Sequence, residues 1–218
     1  MAGVTLVNEV QNAYNSFGQL TAQYQEHAGA VNTSATPKVQ YAYADGSANT
    51  IRPISMTYPN GRVLQYLYDD TAADKLSRIR TLRWDGTDVC RYSYLGVSTF
   101  VTIDYLEPQV KLDYAAGSGS NPYTGFDRFG RIIDLQWQNY DTNSDLVHLQ
   151  YGYDRASNRT YREDMVAQSY NKDFDELYQY DGLHRLQHFE RGRLTSNKQA
   201  ITNPVSYTHL TLPTTERV

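Results

Sequence analysis

The chain is 218 residues long, enough for one large domain or two small ones, and no run of about 18 apolar residues is present to cross a membrane as a helix. Of its residues 40% are hydrophobic, but 20 are tyrosines; with tyrosine set aside and glycine counted, the apolar share is roughly 37%, against about 45–50% in an ordinary domain. A net charge of −4 offers no basic face for nucleic acid, and the lone Cys90 excludes an internal disulfide framework and a multi-cysteine zinc site.

Met1 to Gln11 has neither a basic start nor an apolar stretch, so no secretion signal is read there. From that point a Tyr-x-Tyr pair recurs, at Tyr41/Tyr43, Tyr66/Tyr68, Tyr92/Tyr94, Tyr151/Tyr153 and Tyr178/Tyr180. Asp69, Asp154 and Asp181 follow three of these pairs directly. Two further copies keep only the second aromatic: YNSFGQL from Tyr14, with Gly18, and FDRFGRI from Phe126, with Asp127, Gly130 and Arg131. The anchors Tyr14, Tyr43, Tyr68, Tyr94, Phe126, Tyr153 and Tyr180 therefore recur with a period of about 27 residues over seven units.

Each unit reads as a β-hairpin. Before the anchor runs a period-two segment such as VHLQYGY, which puts Val147, Leu149, Tyr151 and Tyr153 on one face. Asp, Asn and Gly after the anchor suit a tight reversal, because they take positive φ or bond their own backbone. A second alternating strand follows, such as Arg185–Arg191, closed by Gly192. Asp127 with Arg131, and Asp181 with Arg185, are placed to pair across the reversal. Single hairpins are marginal, so the units are expected to stack into an all-β fold of repeated antiparallel hairpins in one continuous curved sheet. Tyr151, Tyr153, Tyr178, Tyr180 and Phe126 are expected on its packed side. The Gly/Ser-rich stretch 115–122 reads as a surface loop, and no domain boundary is expected within residues 1–204. Val205–Thr215 (VSYTHLTLPTT) breaks the repeat and resembles one reading frame of a transposase-derived sequencing adapter. Residues 205–218 are therefore expected to be non-native and stand outside the fold reading.

Tyr-Asp followed by a Gly-Arg-Leu-like reversal resembles the YD repeat of RHS proteins, a family that includes bacterial polymorphic toxins and animal teneurins. The best matches are Phe126–Ile132, Tyr153–Arg155 and Tyr180–Leu186; the resemblance covers roughly residues 10–195 and is strongest over 126–195. Before residue 100 it weakens, since Tyr43-Ala44-Asp45 and Tyr94-Leu95-Gly96 depart from Tyr-Asp. The resemblance implies a sheet that spirals into a hollow shell around a C-terminal toxin or cargo domain, in an exported or envelope-associated protein. It also implies a closing core with an aspartyl self-cleavage site; no Asp-Pro pair occurs here. The implied partners are the rest of the polypeptide: further repeats, closing core and cargo. The alternative is a cell-surface adhesion or carbohydrate-binding repeat protein that meets glycans.

No enzyme, cofactor or metal is expected. Asp141-Thr142-Asn143-Ser144-Asp145 opens like a calcium loop, but Leu146 and Gly152 stand where its Gly and bidentate Glu belong, so it reads as a polar hairpin loop. His184 and His188 are about 13 Å apart along a strand, too far for one metal. Gly117–Ser120 lacks a nucleophile-elbow order, and Cys90 reads as a small buried thiol. Trp84 and Trp137 are candidates for a sugar-stacking platform, and Asn32 and Asn158 head acceptor sequons.

Overall fold

The structure is a computed structural model that describes residues 6–47, 51–68, 71–114 and 125–204. Asp69, the Gly/Ser stretch 115–122 and the tail 205–218 lie outside the described residues. The chain divides into two compact units, Met1–Val110 and Lys111–Val218. The first contains β1 (Glu9–Tyr14), β2 (Leu20–Glu26), β3 (Lys38–Tyr43), β4 (Pro53–Thr57), β5 (Val63–Leu67), a one-turn α1 (Thr71–Lys75), β6 (Thr81–Trp84), β7 (Thr87–Leu95) and β8 (Thr99–Tyr105). After β9 (Val110–Asp113), at the division, the second contains β10 (Asp134–Asn139), β11 (Ser144–Tyr153), β12 (Arg159–Asp164), α2 (Met165–Ser169), β13 (Asp175–Tyr180), β14 (Leu186–Leu194) and β15 (Ile201–Thr202). The protein is all-β. Strand order within each unit is chain order, and the pairings are antiparallel.

The hairpins share a defect that alternation alone does not reveal. Register shifts at Ala13/Tyr14, Ala42/Tyr43, Ser93/Tyr94, Gly152/Tyr153 and Gln179/Tyr180. In each case the strand after the reversal carries one extra residue opposite the anchor tyrosine: Thr21, Ile54, Val101, Thr160 and Gln187. A β-bulge of this kind raises local twist and re-aims the side chains beside it. In each of the five the shift falls at the anchor tyrosine, at or next to the end of its strand.

The core is thin, as the low apolar share requires. Buried apolar side chains are Ala22, Tyr24, Ala73, Cys90 and Val101 in the first unit and Leu112, Leu177 and Leu194 in the second. The residues expected on the packed side, Tyr151, Tyr153, Tyr178, Tyr180 and Phe126, are all half-buried. In β13 it is the alternate positions, Asp175 and Leu177, that are buried. Asp175 is 0% exposed and accepts from the amides of Asp164 (2.8 Å) and Leu194 (2.9 Å) and from Gln168 Nε2 (2.9 Å), so one carboxylate ties β12, α2 and β14 together. Asp164 also caps α2 by accepting from Ala167 N at 2.9 Å. Opposite Gly152, the ring of Tyr161 fills the place of the missing side chain: a Cβ there would lie 2.1 Å from Tyr161 Cε1.

Candidate functional site: a ladder of closed turns

The reversal after the anchor is a five-residue loop locked from inside. In residues 127–131, Asp127 Oδ1 accepts from the amides of Phe129 (2.8 Å) and Arg131 (3.0 Å), and Arg131 Nε donates to Oδ2 at 2.6 Å. Two backbone bonds close the ring, Asp127 N to Arg131 O and Gly130 N to Asp127 O, both 2.9 Å. Gly130 has φ +76°, which explains the glycine. Residues 181–185 repeat this arrangement: Asp181 Oδ1 accepts from Leu183 N and Arg185 N at 2.9 Å, and Oδ2 from Arg185 Nε at 2.7 Å. Residues 154–158 use Asp154 with Asn158, and residues 15–19 use Asn15 with Gln19, whose Oε1 accepts from Asn15 Nδ2 at 2.8 Å. The loop thus needs an Asx oxygen first and a side chain complementary to it fifth.

The electrostatics follow from these bonds. The Arg185 amide and guanidinium hold Asp181 below the usual carboxylate range. Burial opposes the same effect at Asp127, but the Arg131 amide and guanidinium outweigh it. The Asn158 side chain lowers Asp154. At Tyr178, burial and then a hydrogen bond to Glu176 push the phenol up to about 12.

The fifth side chain of one loop also reaches the next. Arg131 Nη1 donates to Asp154 O at 2.9 Å, and Asn158 Nδ2 meets His184 Nδ1 at 3.1 Å, so the three loops of the second unit form a stack. In the first unit Gln19 Nε2 donates to Ile51 O at 2.7 Å, Arg52 to Asp74 O at 2.6 Å, and Arg78 to Gly96 O. Three of these arginines lie over the ring of the next anchor: Arg52 over Tyr68 (3.9 Å), Arg78 over Tyr94 (4.7 Å) and Arg131 over Tyr153 (4.7 Å). The anchor hydroxyl then donates to the carbonyl just after the linking residue: Tyr43 to Leu20 (2.9 Å), Tyr68 to Pro53 (3.0 Å), Tyr94 to Ile79 (2.6 Å) and Tyr153 to Ile132 (2.9 Å). Gly-Arg-Leu is thereby explained: glycine turns, arginine crosses to the next loop, and the following carbonyl receives the next tyrosine.

Known proteins were compared with this geometry. No family profile matches the sequence, and no curated protein matches it. Solved structures do. The chain is similar to part of the Photorhabdus luminescens Tc holotoxin pore (TM-score 0.52, 12% identity, 80% of this chain and 8% of that one). It is likewise similar to part of the TcdB2–TccC3 crystal structure (0.54, 13%, 82% and 9%) and of the TcdB2–TccC3–Cdc42 crystal structure (0.55, 13%, 86% and 9%). At these identities the likeness is one of fold, and the chain spans less than a tenth of the length of the chains it matches.

The other sequence-derived positions resolve as follows. Tyr14 precedes the first closed loop, and Gly18 (φ +74°) is its fourth residue, donating to Asn15 O at 3.0 Å. Tyr180 ends β13, but its hydroxyl has no partner among the described residues; Asn158 stands at the linking position before it, and Arg159 lies over Tyr151 (4.5 Å). Residues 140–143 are the β10–β11 hairpin loop, held by Asn139 Oδ1 accepting from Asp141 N and Thr142 N at 3.0 Å. His188 Nε2 lies 2.9 Å from Glu190. Among the described residues no three His, Cys, Asp or Glu side chains converge as metal ligands. Cys90 is buried, which pushes its thiol up. Trp84 is packed edge-on against Tyr58 at 5.0 Å and under Arg62 at 4.5 Å. Sequence reading missed a loop at the opposite strand ends, residues 58–62 (Tyr58 N to Arg62 O, 2.9 Å; Gly61 φ +85°). Arg62 there pairs with Asp85 (2.8 Å) of the two-residue Asp85–Gly86 reversal; the Asn60-Gly61-Arg62 run was the available signal.

Proposed function

We propose that this chain is a wall segment of an RHS/YD-repeat β-shell whose cargo or toxin domain is encoded elsewhere in the same polypeptide. The observation that carries the reading is the ladder itself. Four hairpins are closed by Asx-centred loops, at 15–19, 127–131, 154–158 and 181–185, and in both units a side chain at the start of the return strand bonds to the next reversal, so length grows by adding similar steps. Such a device suits a wall that must extend without a thick core. The fold likeness to Tc toxin structures supports it, as does the Tyr-Asp resemblance. On this reading the role is structural and not catalytic, the protein is exported, and the partners are further repeats, a closing core and the enclosed domain. The test is the reading frame of the source DNA beyond the codons for Asn203 and Pro204. More Tyr-Asp units, a closing core and an unrelated terminal domain are expected. A frame that instead continues natively through VSYTHLTLPTT, or into a wall anchor, overturns the reading in favour of a surface binding protein.

A further inference from the structure

Lys198 stands in the connection between β14 and β15, far from the stacked loops. That connection closes on itself: Thr195 N donates to Ala200 O and Lys198 N to Thr195 O, both at 2.9 Å. Lys198 has φ +60°, a left-handed conformation that glycine or asparagine would fill at less cost if the chain only had to turn. From there its Nζ reaches Oε2 of Glu163 on β12. Glu163 is 6% exposed, and its other oxygen, Oε1, accepts from Gln168 Nε2 at 3.0 Å. The same amide nitrogen donates to Asp175 Oδ2 at 2.9 Å, and Asp175 is fully buried and anchored by the amides of Asp164 and Leu194. One carboxyl group thus has an amine against one oxygen and an aimed N–H donor on the other. An ion pair alone would need neither the aimed amide nor the burial of the carboxylate.

We propose that Lys198 and Glu163 condense to an intramolecular isopeptide bond, with Gln168 as the donor to its oxyanion. Nζ passes one proton to Oε2, and the resulting neutral amine attacks Cδ. Negative charge collects on Oε1, where the Gln168 amide already donates, as an oxyanion hole does in acyl transfer. A second proton moves from Nζ to Oε2, which leaves as water while the Cδ–Oε1 carbonyl re-forms. The Nζ–Cδ bond is made, the Cδ–Oε2 bond is broken, and no oxidant, reductant or cofactor is needed. Because the folded chain holds both groups in contact, the step is unimolecular and gains the advantage of proximity. The product ties the β14–β15 connection covalently to β12, past a β15 that is only two residues long. The wall role does not require this bond, and the two stand or fall separately.

The test is the intact mass of the denatured full chain, followed by tryptic mapping. The chain is expected to be lighter than its sequence by one water, with Glu163 and Lys198 in a single branched peptide and no cleavage after Lys198. Lys198→Arg keeps the charge pair but removes the condensing amine, and is expected to show its full sequence mass. In Gln168→Leu, linkage followed by mass from the moment of synthesis should slow on the order of a hundredfold, the scale for losing one oxyanion donor. Circular dichroism checks that both variants keep the strand content of the parent chain, so a change in linkage is not a change in folding. A parent chain of full mass, a water loss that persists in Lys198→Arg, or linkage at the parent rate in Gln168→Leu each overturns the proposal.

Discussion

The four anchor hydroxyls give the sharpest test of the ladder. Tyr→Phe at positions 43, 68, 94 or 153 keeps the ring, and with it the packing and, at 68, 94 and 153, the arginine stacked above it, and deletes only the O–H that donates to the preceding hairpin. Loss of one such bond costs about 0.5–1.5 kcal/mol, toward the upper end where the orphaned carbonyl stays dry. Tyr94, with a part-buried bond of 2.6 Å, should cost most, and Tyr68, whose bond is exposed at 3.0 Å, least. In a unit of roughly a hundred residues, about 1 kcal/mol corresponds to a melting shift on the order of 4–8 °C. Tyr180→Phe is the internal control: same motif position, half-buried ring, no hydroxyl partner among the described residues. Urea denaturation of the five variants should rank Tyr94→Phe as the most destabilised and Tyr180→Phe as near neutral. If Tyr180→Phe is as damaging as Tyr94→Phe and Tyr153→Phe, the hydroxyl bonds carry no stability and the tyrosines matter only as rings.

Gly152→Ala should cost about 1–3 kcal/mol, because the new Cβ drives into the Tyr161 ring; pairing it with Tyr161→Leu should recover part of the loss, measured as the shift in urea midpoint. Asp181→Asn should lower the melting temperature, and the double variant Asp181→Asn/Arg185→Gln should regain part of it by rebuilding the Asn15–Gln19 pair. A double variant worse than either single change would refute the equivalence of the two loops. Acid should loosen the ladder. Asp127, Asp154 and Asp181 are depressed in the folded state, so their contribution is present above the unfolded carboxylate range, about pH 4, and is lost as pH falls through their folded values. Melting temperature should hold steady from neutral pH to about 5 and fall below about 4, with a shallower fall in Asp181→Asn.

Much of this was legible in the sequence because it is local. Period-two alternation gave VHLQYGY as a strand, and Asp127-Arg128-Phe129-Gly130-Arg131 carries its whole loop within five residues, so the Asp127–Arg131 and Asp181–Arg185 pairs could be placed before any coordinates. The bulges could not. That Thr160 and Gln187 are the unpaired residues depends on how each strand registers against the strand before it, and the alternation within either strand does not carry that pairing. The packed side was likewise non-local: alternation said that Tyr178 and Asp175 lie on opposite faces, but only α2, with Gln168 reaching over the strands, decides that Asp175 is on the buried one. The loop at 58–62 escaped because tyrosine replaces its Asx residue, and the carboxylate it lacks is supplied across the gap by Asp85.

That last substitution indicates what the ladder conserves physically. Five linking contacts run from the end of one reversal to the next, yet the side chains differ: Gln19, Arg52, Arg78, Arg131 and Asn158. The reversals they reach differ too, from five residues at 154–158 to a long connection holding α1 between β5 and β6. What stays constant is a donor at the start of the return strand, followed in four of the five steps by a carbonyl that receives the next tyrosine. Adjacent hairpins are therefore joined by strand pairing along their length and by these polar contacts at their turn ends, more than by a shared apolar interior. This is how a chain with so little aliphatic content forms so many strands while the repeat length varies. An insertion beyond the donor lengthens a loop without disturbing the step, whereas a change at the donor removes a bond to the neighbour and, at Arg52, Arg78 and Arg131, a cation over its tyrosine.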